Sequence, residues 1–569
     1  MVFNKNLLSH DHNCIGLLTS TDSTSIQPQV SEKRNLNGID IEIFAPLFYS
    51  MNIQEVYCYP GVDEMLECLV HKVNLTLDQL APVTKTVVST KNRADWLTKE
   101  HRDKITVRNN LRTLALLMDD GQTWSNYKNY RNELTAEMRK AKKEHVTKQL
   151  GEGDMKKQWS NVKKISGLDK SGGGGSSITI LHEGKIITSP KILCELFNDF
   201  FIEKVEKIVK ICPPNIPKSL DYTALHLGDN RPPEFSFKTV SYEKVSKIIT
   251  SLKNTNSVGT DGITTTMLKR FKDVLIGPLT DIINKAIYTS TYPRLWKEGI
   301  ITPLPKKGDL TLLKNWRPVT ILNSSSKILE KILHEQLTQF LEENNLFPKQ
   351  QFAYRANKST TATLLEIETS TRVAMDRGKV VSILLVDLSA AFDCIDCETV
   401  CSKLKLFGVS EGAVQLVRSY LTNRYAMAKV NNCKSLMKWI KTGVGQGSVI
   451  GPLLFLVAVI CVSQVLKKAK KILRERYSIE MTTSHKEYLM DNSQHQAYTT
   501  DNSFADDLTA TVCTNNEEQN KIVLNVLQDL YVEYFKNVGL KVNLDKNEHI
   551  VLSTSPRMLL KSITPEYAS

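Results

Sequence analysis

Phe504-Ala505-Asp506-Asp507, with Val386-Asp387-Leu388 well upstream of it, decides how this chain is read. The first places two acids where a tight turn is expected. The second puts a single acid at the end of an apolar run. Three carboxylates drawn within a few ångströms of one another repel, and such a cluster persists where divalent cations neutralise it. Two cations about 3.5–4 Å apart activate an attacking oxygen and stabilise a leaving one during phosphoryl transfer. That is the chemistry to which Asp387, Asp506 and Asp507 point.

Working outward, Val380 to Val386 is nearly all apolar, as a central strand buried on both faces would be. Asp387 ends it. A charge there is unfavourable unless paired or bound to a metal, and a capping Asp at a strand–helix junction is the plain alternative. Phe392 follows within Ala390-Ala391-Phe392-Asp393; its ring suits the sugar of a nucleotide and equally suits a core. Gly443-Val444-Gly445-Gln446-Gly447-Ser448 then leads into a helix starting near Pro452. Glycines let backbone approach a ligand, helix N-termini favour phosphate, and Gln446 can hydrogen-bond a base, a sugar or a template strand. Asp506 and Asp507 precede the apolar alternation Leu508 to Val512, which predicts a β-hairpin presenting both side chains at its tip. Each signal alone is weak; their order is specific.

The 569-residue chain has room for three or four domains and, at 41% hydrophobic residues, reads as soluble and globular. Its 74 Lys and Arg against 61 acids give a net charge of +13, which suits a polyanionic partner and also an ordinary basic protein. Eleven cysteines without disulfide or zinc-ribbon rhythm, and no secretory signal at the start, fit a reducing intracellular setting. Cys394, Cys397 and Cys401 are spaced as one face of a helix, where thiols pack as small hydrophobes; a metal cluster is the alternative. Val449 to Leu466 approaches the length of a membrane span, but Gly451-Pro452 opens a helix inside it and Gln464 interrupts it. A buried core helix is the expectation.

Residues 1–105 mix short apolar runs with loops, and 106–240 form a basic helical region with a Gly-rich break at 171–177. Gly172 to Gly175 read as a flexible linker and not as a phosphate loop, because no Gly-Lys-Ser/Thr follows. The basic run Arg139-Lys140-Ala141-Lys142-Lys143 is a solvated helix face or, with Trp124, Tyr127, Tyr130 and Trp159 interleaved, a nucleic-acid contact. Ser189-Pro190 predicts the start of an amphipathic helix reaching about Val209. Two helices are expected over 241–290 around Ser257 to Gly262, and a long one from Ser324 to Asn344.

From about Leu252 to Leu552 the chain resembles the reverse transcriptase domain of non-LTR (LINE-type) retrotransposons. The matches run in family order: Tyr292 to Lys297, Pro303 to Asp309, Asn315 to Val319, Gln351 to Arg355, Asp387 to Asp393, Gly445 to Phe455, Phe504 to Asp507 and Gly539 to Lys546. The resemblance implies an α/β (α+β) right-hand polymerase, with fingers over 241–380, palm over 381–555, a short tail at 556–569 and a helical connector N-terminal. It implies an RNA-directed DNA polymerase that extends a DNA primer along an RNA template with deoxynucleotides, without a membrane, in the cytoplasm and nucleus. Asp387, Asp506 and Asp507 would hold two Mg²⁺ ions, Mn²⁺ being a substitute, with Asp387 and Asp506 as chief ligands. Phe392 matches the steric gate against a ribose 2′-OH. Gln446 and Gly447 match residues lining the nascent pair, while Arg355, Lys306 and Arg317 match contacts to triphosphate or template. Lys546 matches a palm lysine suited to protonate departing pyrophosphate; a solvated loop lysine is the alternative.

Ser9 to Ile15 resembles the closing strand of the endonuclease found upstream in such elements, so Asp11 and His12 are expected to be an inactive remnant. Three departures stand out. Gly445 replaces the usual Pro before Gln446. A polar insertion between Leu466 and Phe504 is expected to weaken the hairpin arm that holds Asp506. About 30 residues follow Gly539, too few for a helical thumb. These departures keep open a second reading, an inactive nucleic-acid-binding relic.

Overall fold

The computed structural model describes residues 29–36, 38–88, 96–151, 158–159, 161–162, 178–490 and 495–552. The chain divides into two compact units, residues 1–33 with 84–177 and residues 34–83 with 178–569. Asp11 and His12, the Gly-rich break at 171–177 and the tail at 556–569 lie outside the described residues. The divisions expected after 105, 240 and 380 do not coincide with this partition. A helix runs through the first, and one apolar core includes residues from both sides of the other two.

In chain order the elements begin with β1 (Gln29–Arg34), α1 (Ile41–Ser50), α2 (Val62–Leu80) and β2 (Val83–Val88). α2 buries Met65, Leu66, Leu69, Val73 and Leu77, a helical stripe within a region read from sequence as loops and short runs. The first unit contains α3 (Lys99–Met118) and α4 (Gly121–Gly151), packed together as a helical hairpin. The Thr98 hydroxyl caps α3, and the Asp120 carboxylate accepts the Gln122 and Thr123 N–H groups where α4 begins.

In the second unit a small hairpin of β3 (Ile180–His182) and β4 (Lys185–Ile187) precedes α5 (Pro190–Ile211). Ser189 occupies the N-cap position but makes no capping hydrogen bond. α6 (Ile216–Leu227), α7 (Tyr242–Ser251), the short α8 (Thr265–Arg270) and α9 (Lys272–Tyr288) follow. β5 (Glu298–Pro305) and β6 (Trp316–Leu322) then form an antiparallel pair, and α10 (Ser326–Glu343) buries the stripe Ile328, Leu329, Ile332, Leu333 and Leu337. After α11 (Thr360–Asp376) come β7 (Val380–Val386), α12 (Cys397–Leu406), α13 (Glu411–Leu421), β8 (Arg424–Val430), β9 (Cys433–Lys434) and β10 (Lys438–Ile440). One sheet has the order β10-β8-β5-β6, with β5 parallel to β8 and β9 paired to β8. Leu193, Phe197 and Phe201 of α5 pack on it with Ile301, Trp316 and Ala426.

The chain continues through α14 (Gly451–Val459), α15 (Gln464–Tyr477), β11 (Met481–Thr482), α16 (His485–Tyr488), β12 (Ala497–Phe504), β13 (Asp507–Thr514), α17 (Glu517–Asn537) and β14 (Glu548–Leu552). The second sheet has the order β11-β12-β13-β7-β14, so β7 is interior, as its apolar sequence implied. α17 and α11 both pack on this sheet, α17 contributing Val523, Leu527, Tyr531 and Tyr534 to the main core. By length and composition, 451–477 is one helical stretch apolar enough to cross a membrane, yet most of it is buried within this fold. Cys397 and Cys401 lie on one face of α12 with sulfurs 3.9 Å apart, and Cys394 and Cys401 belong to the core.

The weak hairpin arm expected from the polar run before Phe504 does not occur. β12 pairs with β13 over all eight of its residues, from Ala497↔Thr514 to Phe504↔Asp507, and Thr499, Thr500, Asp501, Asn502 and Ser503 are buried. The ladder is made by backbone groups that every side chain leaves free, and Tyr498, Thr499 and Thr500 favour the extended form. The penalty falls on the side chains instead. Neither oxygen of Asp501 meets a donor at full hydrogen-bond geometry, and burial raises its pKa to about 7, partly offset by its own N–H and the Tyr531 hydroxyl.

Candidate active site

The hairpin β12–β13 turns through two residues, Ala505 and Asp506, because Phe504 pairs with Asp507. Ala505 has φ +59°, a left-handed conformation that favours glycine at the first position of such turns. β13 pairs antiparallel with β7, and Leu508 stands opposite Val386. The next residues along that register are Asp507 on one strand and Asp387 on the other. Directly opposed residues in such a pair lie on the same face with Cβ atoms about 4.5–5.5 Å apart. Folding therefore carries Asp387 to the tip that bears Asp506 and Asp507.

Their electrostatics follow from that placement. Burial raises the pKa of Asp506, and the charges of Asp507 and Asp387 raise it further, against a lowering by its own backbone N–H. Asp507, more exposed, is raised by burial and then by Asp387. The carboxylates lie in one another's field, and a cation between them would relieve that repulsion, so the donor set fits a hard divalent ion. As placed they do not close on a single point: among the described residues no three His, Cys, Asp or Glu side chains are arranged to hold one ion. Asp387 is instead held by the segment before β14. Asn543 Nδ2 donates to Asp387 Oδ2 at 3.1 Å, and Lys546 Nζ lies 3.6 Å from the same oxygen. The backbone joins in: the Asn543 N–H donates to the Asp387 carbonyl at 2.8 Å, and the Asp387 N–H donates to Asn547 Oδ1 at 3.2 Å. Lys546 is otherwise open, with 69% of its side chain exposed.

The Gly443–Ser448 loop is fastened to the segment after β7. Val444 N–H donates to the Phe392 carbonyl, Gly443 N–H to that of Ile395, and Gln446 Nε2 to Asp393 Oδ2 at 3.2 Å. On its other side the Gln446 carbonyl accepts from Thr320 N–H on β6 at 3.0 Å. Two glycines are required here. At Gly443 (φ +86°) a Cβ would come within 2.4 Å of the Asp393 carbonyl oxygen, and at Gly447 (φ +123°) within 2.7 Å of that of Thr320. Gly445, in place of Pro, still sits in a closed turn, its carbonyl accepting the Ser448 N–H at 3.0 Å. Burial raises Asp393 to about 6, against the nearby Lys204 charge and the Gln446 hydrogen bond.

Lys306, just past β5, is lowered chiefly by burial and then by Lys204, Arg317 and Lys546. That places Lys204, Arg317 and Lys546 in the field of Lys306, and Lys546 is the one of them that also reaches Asp387. Phe392 stacks on Phe455 with ring centroids 4.7 Å apart, fixed at the margin of the core. Arg355 behaves differently from the sequence expectation. Its guanidinium is engaged by both oxygens of Glu342 at 2.8 and 2.7 Å and by the carbonyls of Pro348 and Gln351, so it clasps its own loop to α10. Its neighbour Tyr354 is the residue whose pKa rises from burial and then from the Asp506 charge. Asn543, Asn547, Asp393, Lys204 and Tyr354 were not singled out from sequence. Asn543, Asp393 and Tyr354 carried a signal, each lying inside a matched block, whereas Asn547 and Lys204 carried none.

Residues 304–559 match the family model described as reverse transcriptase (RNA-dependent DNA polymerase). The chain is 30% identical over 220 residues to the probable RNA-directed DNA polymerase from transposon BS of Drosophila melanogaster, covering 38% of this chain and 24% of that protein. It is 26% identical over 217 residues to the RNA-directed DNA polymerase from mobile element jockey of Drosophila funebris, covering 38% and 24%. It is 25% identical over 221 residues to the Pol polyprotein from type-1 retrotransposable element R2 of Popillia japonica, covering 39% and 30%. The chain thus spans about a quarter of the length of the curated relatives it matches. Over residues 304–559 the chain is thus similar to the reverse transcriptase family, and to the polymerases of mobile elements in particular.

Proposed function

We propose that this chain is an RNA-directed DNA polymerase of a mobile element, extending a primer 3′-OH with deoxynucleotides along an RNA template inside the cell. The observation that carries the reading is the register of β7 on β13, which sets Asp387 opposite Asp507 beside the Asp506 turn. In this reading the sheet β11-β12-β13-β7-β14 is the palm and the β5–β6 pair belongs to the fingers. Asp387, Asp506 and Asp507 would hold a pair of divalent cations, Mg²⁺ or Mn²⁺, which when bound activate the 3′-oxygen and neutralise charge on the phosphates.

The chain's own residues do the positioning. Asn543 and Asn547 orient the Asp387 carboxylate and its backbone. Lys306 and Arg317 supply positive charge for a triphosphate, together with Lys204. Lys546, next to Asp387, can hold a proton for departing pyrophosphate. Gln446, pinned through Asp393 and Thr320, presents the Gly447 backbone to the nascent pair. Phe392, braced by Phe455, narrows the sugar side and selects against a 2′-OH. The inactive-relic reading drew on three departures, of which the weak hairpin arm is the one that the complete β12–β13 ladder speaks against. The test is primer extension by the purified chain on a primed RNA template with Mg²⁺ and deoxynucleotides. Extension that Asp506→Ala abolishes supports the reading; template binding with no extension by the unaltered chain overturns it.

A further inference from the structure

The helical hairpin of the first unit carries a feature that the polymerase site does not use. α4 has 31 residues, and among those described only Leu134 is fully buried. At 100° per residue, Leu134, Ala141 and His145 share the arc that turns inward, and all three are at least half-buried. Lys128, Arg139 and Lys143 fall on the arc opposite, with Lys142 beside them, and all four are exposed. The acids Glu133, Glu137 and Glu144 keep to one flank, where Glu137 is taken by Lys104 of α3 at 2.7 Å. None of the four cations has a carboxylate within ion-pair distance among the described residues. Lys140 and Lys148 fall among those acids, so that flank mixes the two signs, whereas the outward arc carries cations and no acid.

We propose that this outward stripe, about 22 Å long from Lys128 to Lys143 at 1.5 Å per residue, is a docking face for RNA, gripped by its phosphates without base readout. Of the aromatics that interleave in sequence within α4, Tyr127 and Tyr130 lie toward the inward arc, and Trp124 sits at the edge of the stripe, at the azimuth of Lys142. Trp124 and Tyr127 meet edge to face at 6.0 Å, and the Arg131 guanidinium lies 5.8 Å over Tyr127, so these rings serve the hairpin and leave no stacking platform along the stripe. Contacts of this kind are sequence-independent and strongly salt-dependent. The choice of RNA over DNA rests on the reading that this chain copies an RNA template.

The experiment uses the full chain with a labelled 40-nucleotide single-stranded RNA, titrated across salt, beside a DNA duplex. The variant Arg139→Gln/Lys142→Gln/Lys143→Gln keeps helix-forming residues, and circular dichroism checks that its helicity is retained. Its charge-matched control is Lys467→Gln/Lys470→Gln/Arg476→Gln on α15. The stripe variant is expected to bind RNA about tenfold more weakly, with a log K against log salt slope shallower by about 2, since each single-strand phosphate contact contributes about 0.7. The control is expected to lose at most about twofold. Extension of a short, saturating primer–template should equal that of the unaltered chain for both, which separates this proposal from the polymerase reading. An unchanged slope, an equal loss in the control, or a loss confined to duplex DNA would overturn it.

Discussion

β7 and β12 flank β13 on opposite sides, pair with it over seven and eight residues, and have almost nothing in common in sequence. Val380 to Val386 is apolar but for Ser382, whose hydroxyl donates to Asn520. Ala497 to Phe504 is polar along most of its length and yet more continuously buried. Each strand carries an aspartate. Asp387 lies past the last ladder pair, where Asn543 and Lys546 reach it; Asp501 lies inside the ladder, where no donor meets it at full hydrogen-bond geometry. The difference teaches that strand placement here is set by backbone register and the fixed tip, whereas side-chain chemistry decides which carboxylate is usable and which is a burden.

That contrast can be broken at either strand. The largest effect is expected at Asp387: Asp387→Asn keeps the shape and should lower primer extension about a hundredfold to a thousandfold, with thermal stability near that of the unaltered chain. Asp501 should respond in stability alone. Its folded pKa is raised to about 7, so its contribution is intact below the unfolded value near 4 and is lost as pH climbs to about 7. Asp501→Asn is therefore expected to stabilise by about 2–4 kcal/mol at pH 8, with the gain fading toward pH 4, as read from denaturant melts across pH. Equal gains at both pH values would mean that Asp501 is not buried as the acid.

Smaller effects sharpen the picture. Asn543→Ala should cost about tenfold to a hundredfold in kcat, by freeing the Asp387 carboxylate, and Asn543→Asp should not restore it because a second acid repels the first. At the turn, Ala505→Gly relieves a left-handed φ and should stabilise by about 0.5–1 kcal/mol, measured by thermal melts. A loss of stability would show that the Ala505 methyl makes contacts outweighing the strain.

What could be read in the sequence divides along the same line. β7, the two-residue turn, the Gly-rich loop and the α10 stripe are local patterns, visible as apolar period, as turn chemistry or as motif order. β12 was not legible as a firm strand, because its ladder is made by backbone groups that leave no mark on side-chain polarity. The Asn543 and Asn547 grip on Asp387 spans more than 150 residues, and a lone Asn carries no period. The Arg355 pairing was hidden for a related reason: its motif pointed to an anion, and Glu342 thirteen residues upstream supplies one within the chain. Composition likewise gave no sign that α2, far from the matched region in sequence, packs into the second unit's core.

The outer edge of β12 has its own consequence. Near the tip, Ser503 N–H donates to the Gln350 carbonyl at 3.0 Å and the Phe352 N–H to the Ser503 carbonyl at 2.9 Å, while β11 pairs beside Ala497 and Tyr498 at the other end. A strand rich in Thr and Tyr with an open flank would be a template for edge-to-edge association between copies. Clamped at both ends by its own chain, it offers a neighbouring molecule little to extend, and the same clamps keep the acidic tip from being drawn into an aggregate.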